Sequence, residues 1–137
     1  MDQMTKSRIE DMVCEHLGVT ACNLDAPQTV CFRAGSAAVF VRLLADEPVH
    51  LRVYSPLLRE VPETDELILE LNRINGDHHA VRIFQRNETV FAAVELLAAT
   101  LDPEELVNAC NSVGDVADHY DTLLHARFGG TLAFEDD

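Results

Sequence analysis

At 137 residues the chain has the length of one domain, and 47% apolar residues are enough to bury a core without disulfides or metal. The net charge of −14 excludes phosphate backbones and anionic membrane as ready partners. No apolar run approaches the roughly 20 residues needed to cross a bilayer, and the opening MDQMTKSRIEDM lacks the layout of a signal peptide, so a cytoplasmic protein is expected.

Ile9, Met12, Val13, His16 and Leu17 recur at helical spacing, which predicts a helix over 6–17, with Ser7 and Glu10 as a capping box and Gly18 as its left-handed end. Asn23–Pro27 reads as a turn. Three strands follow: Thr29–Ala34, then Ala38–Leu44 and Val49–Tyr54. Gly35-Ser36 turns between the first two, and Ala45–Pro48 is a hairpin-length connection between the others. Ser55–Pro62, with two prolines, reads as a linker.

Glu63–Asn75 is the second predicted helix, with acids in its first turn and an apolar stripe of Leu67, Ile68, Leu71 and Ile74, ended by Gly76. Ala80–Gln85 and Thr89–Leu96 form another hairpin around Arg86-Asn87-Glu88. The last helix has the clearest start: Asp102 as N-cap, Pro103 at the first helical position and Glu105 closing a capping box. It runs to about Phe128 and stops at Gly129-Gly130. The expected fold class is α+β: helix, three strands, helix, two strands, helix, with the helices packed on an antiparallel sheet. Residues 1–130 form the domain and 131–137 an acidic tail.

Strand alternation sorts the side chains into two faces. Val39, Val41, Leu43, Val49, Leu51, Val53, Val81, Ile83, Val90, Ala92, Val94 and Leu96 form an aliphatic set, assigned to the core. The other set is Phe40, Arg42, Leu44, His50, Arg52, Tyr54, Ala80, Arg82, Phe84, Phe91, Ala93 and Glu95. It holds four of the eight aromatic residues and three of the ten cations. Aromatic rings and arginines are enriched where proteins meet, because each combines contact area with directed interactions. Phe40, Arg42, Arg52, Tyr54, Arg82, Phe84 and Phe91 are therefore the candidate peptide-binding residues; a solvated outer face with snorkelling arginines is the other reading.

Catalytic signatures are missing: there is no GxSxG, P-loop, GxGxxG or HExxH. Cys14, Cys22, Cys31 and Cys110 form no CxxC and read as buried thiols, with no disulfide expected. Asp77-His78-His79 reads as a polar turn, and Asp115/His119 and Asp121/His125 as helix-surface pairs. No metal and no cofactor is expected, and the acids are assigned to helix surfaces and the tail. From Leu101 onward nine acids face a single Arg127, a surface suited either to solubility or to a basic partner.

LRVYSPLL from Leu51, then LNRINGD from Leu71, AVRIF from Ala80, TVFAAVELLA from Thr89, LDPEEL from Leu101 and ADHYDTLLHARFGG ending at Gly130 resemble the bacterial YbjN-like family, in which actinobacterial members are common. The most specific marks are Ser55-Pro56, Leu71-Asn72 with Ile74-Asn75, and Phe128-Gly129-Gly130. The resemblance implies a domain built like a type III secretion chaperone, usually dimeric. Such a domain binds extended segments of partner proteins on apolar grooves and strand edges. YbjN-like proteins carry the label of sensory-transduction regulators.

The function expected is therefore a non-enzymatic, chaperone-like homodimer that takes an extended segment of another protein, by strand addition and by anchoring over the aromatic face. A dimer interface is expected on Leu67, Leu71, Tyr120, Leu123, Leu124 and Phe128. The alternative is an acidic regulator or immunity-type protein neutralising one basic partner. Thr131–Asp137, apolar at Leu132-Ala133-Phe134 and then acidic, reads either as a free tail or as a segment docked on the arginine–aromatic face of its own or a second subunit.

Overall fold

The computed structural model describes residues 3–18 and 29–134, with the side chains of 29–32 set aside. The Asn23–Pro27 turn, Cys22, the side chain of Cys31 and the acids Glu135, Asp136 and Asp137 lie outside the described residues.

Helix α1 spans Gln3–Leu17 and buries Ile9 and Val13, one turn apart. It ends at Gly18, whose φ of +72° is the left-handed conformation expected there. Its start departs from expectation. Ser7 lies inside the helix and does not cap it, because Gln3, Met4 and Lys6 are good helix formers and nothing stops the helix growing past Ser7.

Helix α2 spans Asp65–Asp77, two residues later than expected at both ends. Thr64 is the cap, its hydroxyl accepting from the Leu67 N–H at 3.2 Å. Gly76 does not end the helix. Arg73 bridges Glu70 at 2.5 Å and Asp77 at 3.0 Å, tying the last turn together across the glycine. Helix α3, Pro103–Phe128, begins as expected: the Asp102 carboxylate accepts from the Glu105 N–H at 2.8 Å.

Among the described residues six strands form one antiparallel sheet: β1 (Thr29–Ala34), β2 (Ala37–Leu44), β3 (His50–Arg59), β4 (Arg82–Arg86), β5 (Thr89–Leu97) and the short β6 (Thr131–Leu132). The spatial order is β1-β2-β3-β5-β4, with β6 beside β3. Leu67, Leu71 and Ile74 of α2 and Leu106, Cys110, Val113, Ala117 and Leu124 of α3 share one core with Val39, Val41, Leu51, Val53, Ile83, Val90 and Ala92. The aliphatic face is thus the core face. Ala80 precedes β4 with φ +66° and is exposed, so it is not part of the strand as expected.

The expected linker at Ser55–Pro62 is a strand as far as Arg59. Proline is tolerated there because β2 has already parted from β3, their pairing ending at Phe40 opposite Tyr54, and because the register against β5 shifts between Pro56 and Leu58. β6 enters beside this stretch, Leu132 opposite Leu58 and Thr131 opposite Arg59. The start of the expected tail is therefore part of the sheet.

Candidate functional site

Register carries the outer-face residues into rows. Arg42 lies opposite Arg52, and Arg52 opposite Glu95. Phe40, Tyr54, Ala93 and Arg82 form the next row, and Pro56, Phe91 and Phe84 the third. Each alternates along its strand with a core residue, so all stand on the face away from the helices. Phe40 stacks on Tyr54 and Phe84 on Phe91, each pair with centroids 5.6 Å apart, and the Arg82 guanidinium lies 4.9 Å above the Phe84 ring. Because Ala93 is small, the middle of the face is low. A hollow of about 580 Å³ opens there, lined by Arg42, Arg52, Tyr54, Phe84, Arg86, Phe91 and Ala93.

One carboxylate serves two of these arginines. Glu95 Oε1 accepts from Arg52 Nε at 2.8 Å and from Arg82 Nη2 at 2.7 Å. Arg42 and Arg86 have no carboxylate partner among the described residues, so four guanidiniums face one acid in a strongly acidic chain. Burial pushes the Tyr54 phenol above its ordinary range, with Arg42 and Arg52 pulling the other way. Tyr54 therefore stays neutral at physiological pH, able to donate from its hydroxyl.

Arg42, Arg52, Tyr54, Phe84 and Phe91 line the hollow, and Arg82 stands at its edge through Glu95. Phe40 differs. It is only 3% exposed, stacked on Tyr54 on one side and met on the other by the tilted ring of Phe134, 5.9 Å away, so it is a supporting ring. Arg86 was missed at the sequence level because it sat in the expected turn, although it shares the spacing of Arg82 and Phe84. Of the expected dimer residues, Leu67, Leu71 and Leu124 are buried in the chain's own core and are unavailable to a second copy. The sheet needs that stripe to cover its aliphatic face. Tyr120 is half-buried and bonded to His78 at 2.8 Å, Phe128 is half-buried under Arg127, and Leu123 is 55% exposed.

Two polar residues have roles that their sequence positions hide. Asp121 is not on the helix surface. It is 2% exposed and bonded to Ser36 Oγ, while Asp118 accepts from the Ser36 N–H at 2.9 Å, so together they dock the β1–β2 turn on α3. Gly35 has φ of +57° at that turn, a conformation that favours glycine, and a Cβ there would also push the Asp118 carboxylate from its place, falling 2.2 Å from Oδ1. Asn75, from α2, accepts from the Ile83 N–H at 2.7 Å and donates to its carbonyl at 2.9 Å. Its amide thus imitates a neighbouring strand and occupies the free edge of β4. Among the described residues no three His, Cys, Asp or Glu side chains gather as metal ligands, Cys14 and Cys110 are free thiols, and no helix is long and apolar enough to cross a membrane.

Residues 3–136 match the family described as T3SS (YopN, CesT) and YbjN peptide-binding chaperone 1. No curated protein matches the chain. Among solved structures, a chain in the crystal structure of the ExsC–ExsE complex is similar in fold, with a TM-score of 0.67 and 20% sequence identity, over 90% of this chain and 97% of that one. The α+β architecture expected from the sequence is the one observed.

Proposed function

Because the chain belongs to the family of type III secretion and YbjN peptide-binding chaperones, we propose that it is a non-enzymatic module that holds an extended segment of a partner protein against the arginine–aromatic face of its sheet. The observation that carries this reading is the hollow itself. Its walls are the rings of Tyr54, Phe84 and Phe91, its floor is Ala93, and Arg42 and Arg86 beside them have no acid of their own among the described residues. Apolar side chains of a bound segment would enter between the rings, and its carboxylates would take the two arginines in charge-assisted hydrogen bonds. Asn75 already fills the β4 edge at Ile83, so the segment lies across the face and does not extend the sheet at β4.

The test is affinity capture of partners from the native host's lysate, comparing the wild-type chain with an Arg42→Glu/Arg86→Glu variant. Partners with acidic, apolar segments are expected to be lost from the variant, and peptides tiled across them to bind the wild type alone. An unchanged set of partners would sink the reading.

The module acts as a homodimer in this reading, through three of the apolar side chains that its core leaves outside, Ile68 and Leu69 on α2, 50% and 69% exposed, and Leu123 on α3. It works in the cytoplasm, where the thiols of Cys14 and Cys110 stay reduced. Holding and releasing a segment would make it a regulator. The second reading, neutralisation of a basic partner, is favoured by Glu104, Glu105, Asp115 and Asp118, all exposed on α3. Salt separates the two: capture through rings survives high ionic strength, and capture through the acidic helix does not.

A further inference from the structure

After α3 the chain is steered back into the sheet. Gly129 and Gly130 have φ of +80° and +79°, and a Cβ on Gly130 would fall 2.7 Å from the Arg59 carbonyl oxygen and 2.5 Å from Val61 Cγ2. Only glycine permits that approach. Thr131 and Leu132 then pair with Arg59 and Leu58, and the Ala133 N–H donates to the Leu57 carbonyl at 2.9 Å. This stretch of β3 is the part that β2 has left, so residues 131–133 fill a slot in the sheet. The next side chain, Phe134, lies against the outer face. Its ring is 5.9 Å from Phe40, with the Arg33 guanidinium 5.2 Å and the Arg59 guanidinium 5.8 Å from its centroid. One ring and two cations, from three strands, form its cage.

We propose that this slot and cage are a binding site for an extended segment that carries an aromatic side chain followed by acidic residues, and that residues 131–134 are its resident occupant, displaced by a partner segment of the same pattern. The inference rests on the reading of the outer face as a peptide-binding surface, which Phe40 joins to the cage through its stack on Tyr54. Three observations support it. The occupant is held in the sheet by two register pairs and one further backbone bond, few enough to exchange. Its aromatic anchor is half-buried at the surface and not sunk in the core. Glu135, Asp136 and Asp137 follow Phe134 in the sequence, and the adjoining face has two arginines, Arg42 and Arg86, with no acid among the described residues. An attached occupant competes at an effective concentration on the order of millimolar. A partner therefore succeeds only if it fills the slot and also reaches the hollow, where Arg42 and Arg86 wait. The arrangement screens out segments that match the slot alone.

The test uses the full chain and a labelled synthetic peptide with the sequence of residues 129–137. Phe134→Ala empties the cage and removes the anchor that helps to hold residues 131–133 in the slot, so the resident segment is displaced more easily. This variant is expected to bind the peptide roughly tenfold more tightly than the wild type, the scale of one ring packed against another and flanked by cations. Phe134→Leu, which keeps apolar bulk, is expected to gain less. Adding Arg33→Ala and Arg59→Ala to Phe134→Ala removes the gain, and a peptide with alanine in place of its phenylalanine binds neither protein. Equal affinity of wild type and Phe134→Ala, or no binding by either, overturns the proposal. Capture of partners through the hollow, read with the Arg42→Glu/Arg86→Glu variant, is independent of this peptide. Its failure would therefore be told apart from failure of the resident-occupant proposal.

Discussion

Asn75 shows how one side chain can decide what a sheet edge does. Its amide satisfies both backbone groups of Ile83 that face away from β5, so β4 presents no open hydrogen-bonding pair at that position. Asn75→Ala removes both bonds and returns the groups to water. A loss of about 1 kcal/mol in unfolding free energy is expected by denaturant titration, the scale of an ordinary hydrogen bond. The more telling outcome is association. An unblocked edge recruits other strands, so the variant is expected to form species larger than a dimer with rising concentration in light scattering, where the wild type forms none. At the sequence level Asn75 was visible only as part of the Ile74-Asn75 mark, because nothing local says that an asparagine on α2 faces a strand eight residues later. Arg86 and Phe134 are of the same kind: ordinary residues whose neighbours come from elsewhere in the chain.

Helices α2 and α3 are joined at one point by charge. The Glu70 carboxylate, half-buried, takes Arg73 from its own helix at 2.5 Å and Arg127 from α3 at 3.0 Å. The hydrogen bond from Arg73 is the main cause holding the Glu70 carboxyl below its ordinary range, with Arg127 adding to it. A carboxyl whose folded pKa lies below its unfolded one stabilises the fold above the unfolded value, about 4.3, and that contribution is lost as pH falls through the folded value. Thermal melts should therefore show the wild type losing stability on acidification below about pH 5 in part through this group, and Glu70→Gln should flatten that part of the acid limb. A Glu70→Gln profile parallel to that of the wild type would show that the clamp contributes nothing to the junction. At the other end of the domain, Arg8 donates to the carbonyls of Ala98 and Leu101 and holds α1 to the loop that precedes α3.

For the molecule as a whole, the distribution of charge and apolar surface matters more than its total. Six of the nine arginines, Arg33, Arg42, Arg52, Arg59, Arg82 and Arg86, come from the strands, so an acidic chain carries a cationic sheet. Of the large apolar side chains left exposed among the described residues, Ile68, Leu69 and Leu123 lie on α2 and α3, with Met4 on α1 and Leu97 at the end of β5. A dimer formed through Ile68, Leu69 and Leu123 would leave the outer face of each sheet free for a partner. Ile68→Glu with Leu69→Glu is expected to give a monomer by light scattering, with the melting temperature changed little, because neither side chain is part of the core. A dimer that survives the double substitution would mean that the copies meet elsewhere.

Alternation of apolar and polar residues along β2, β3, β4 and β5 was enough to separate the aliphatic core face from the arginine–aromatic face, because the period of two is a property of each strand alone. The N-cap at Asp102 and the glycine ends of α1 and α3 were equally local, and were legible for that reason. Tertiary structure decided the rest. Whether Ser55–Arg59 is a linker or a strand depends on whether β2 still lies beside it, since proline fits only where no neighbour needs its missing N–H. Whether Leu67, Leu71 and Leu124 face a second copy or the sheet depends on how much aliphatic surface the strands leave to cover, a sum over the whole domain. Phe40 is a supporting ring because Phe134, ninety-four positions later, comes back to lie on it, and only the closed chain brings the two together.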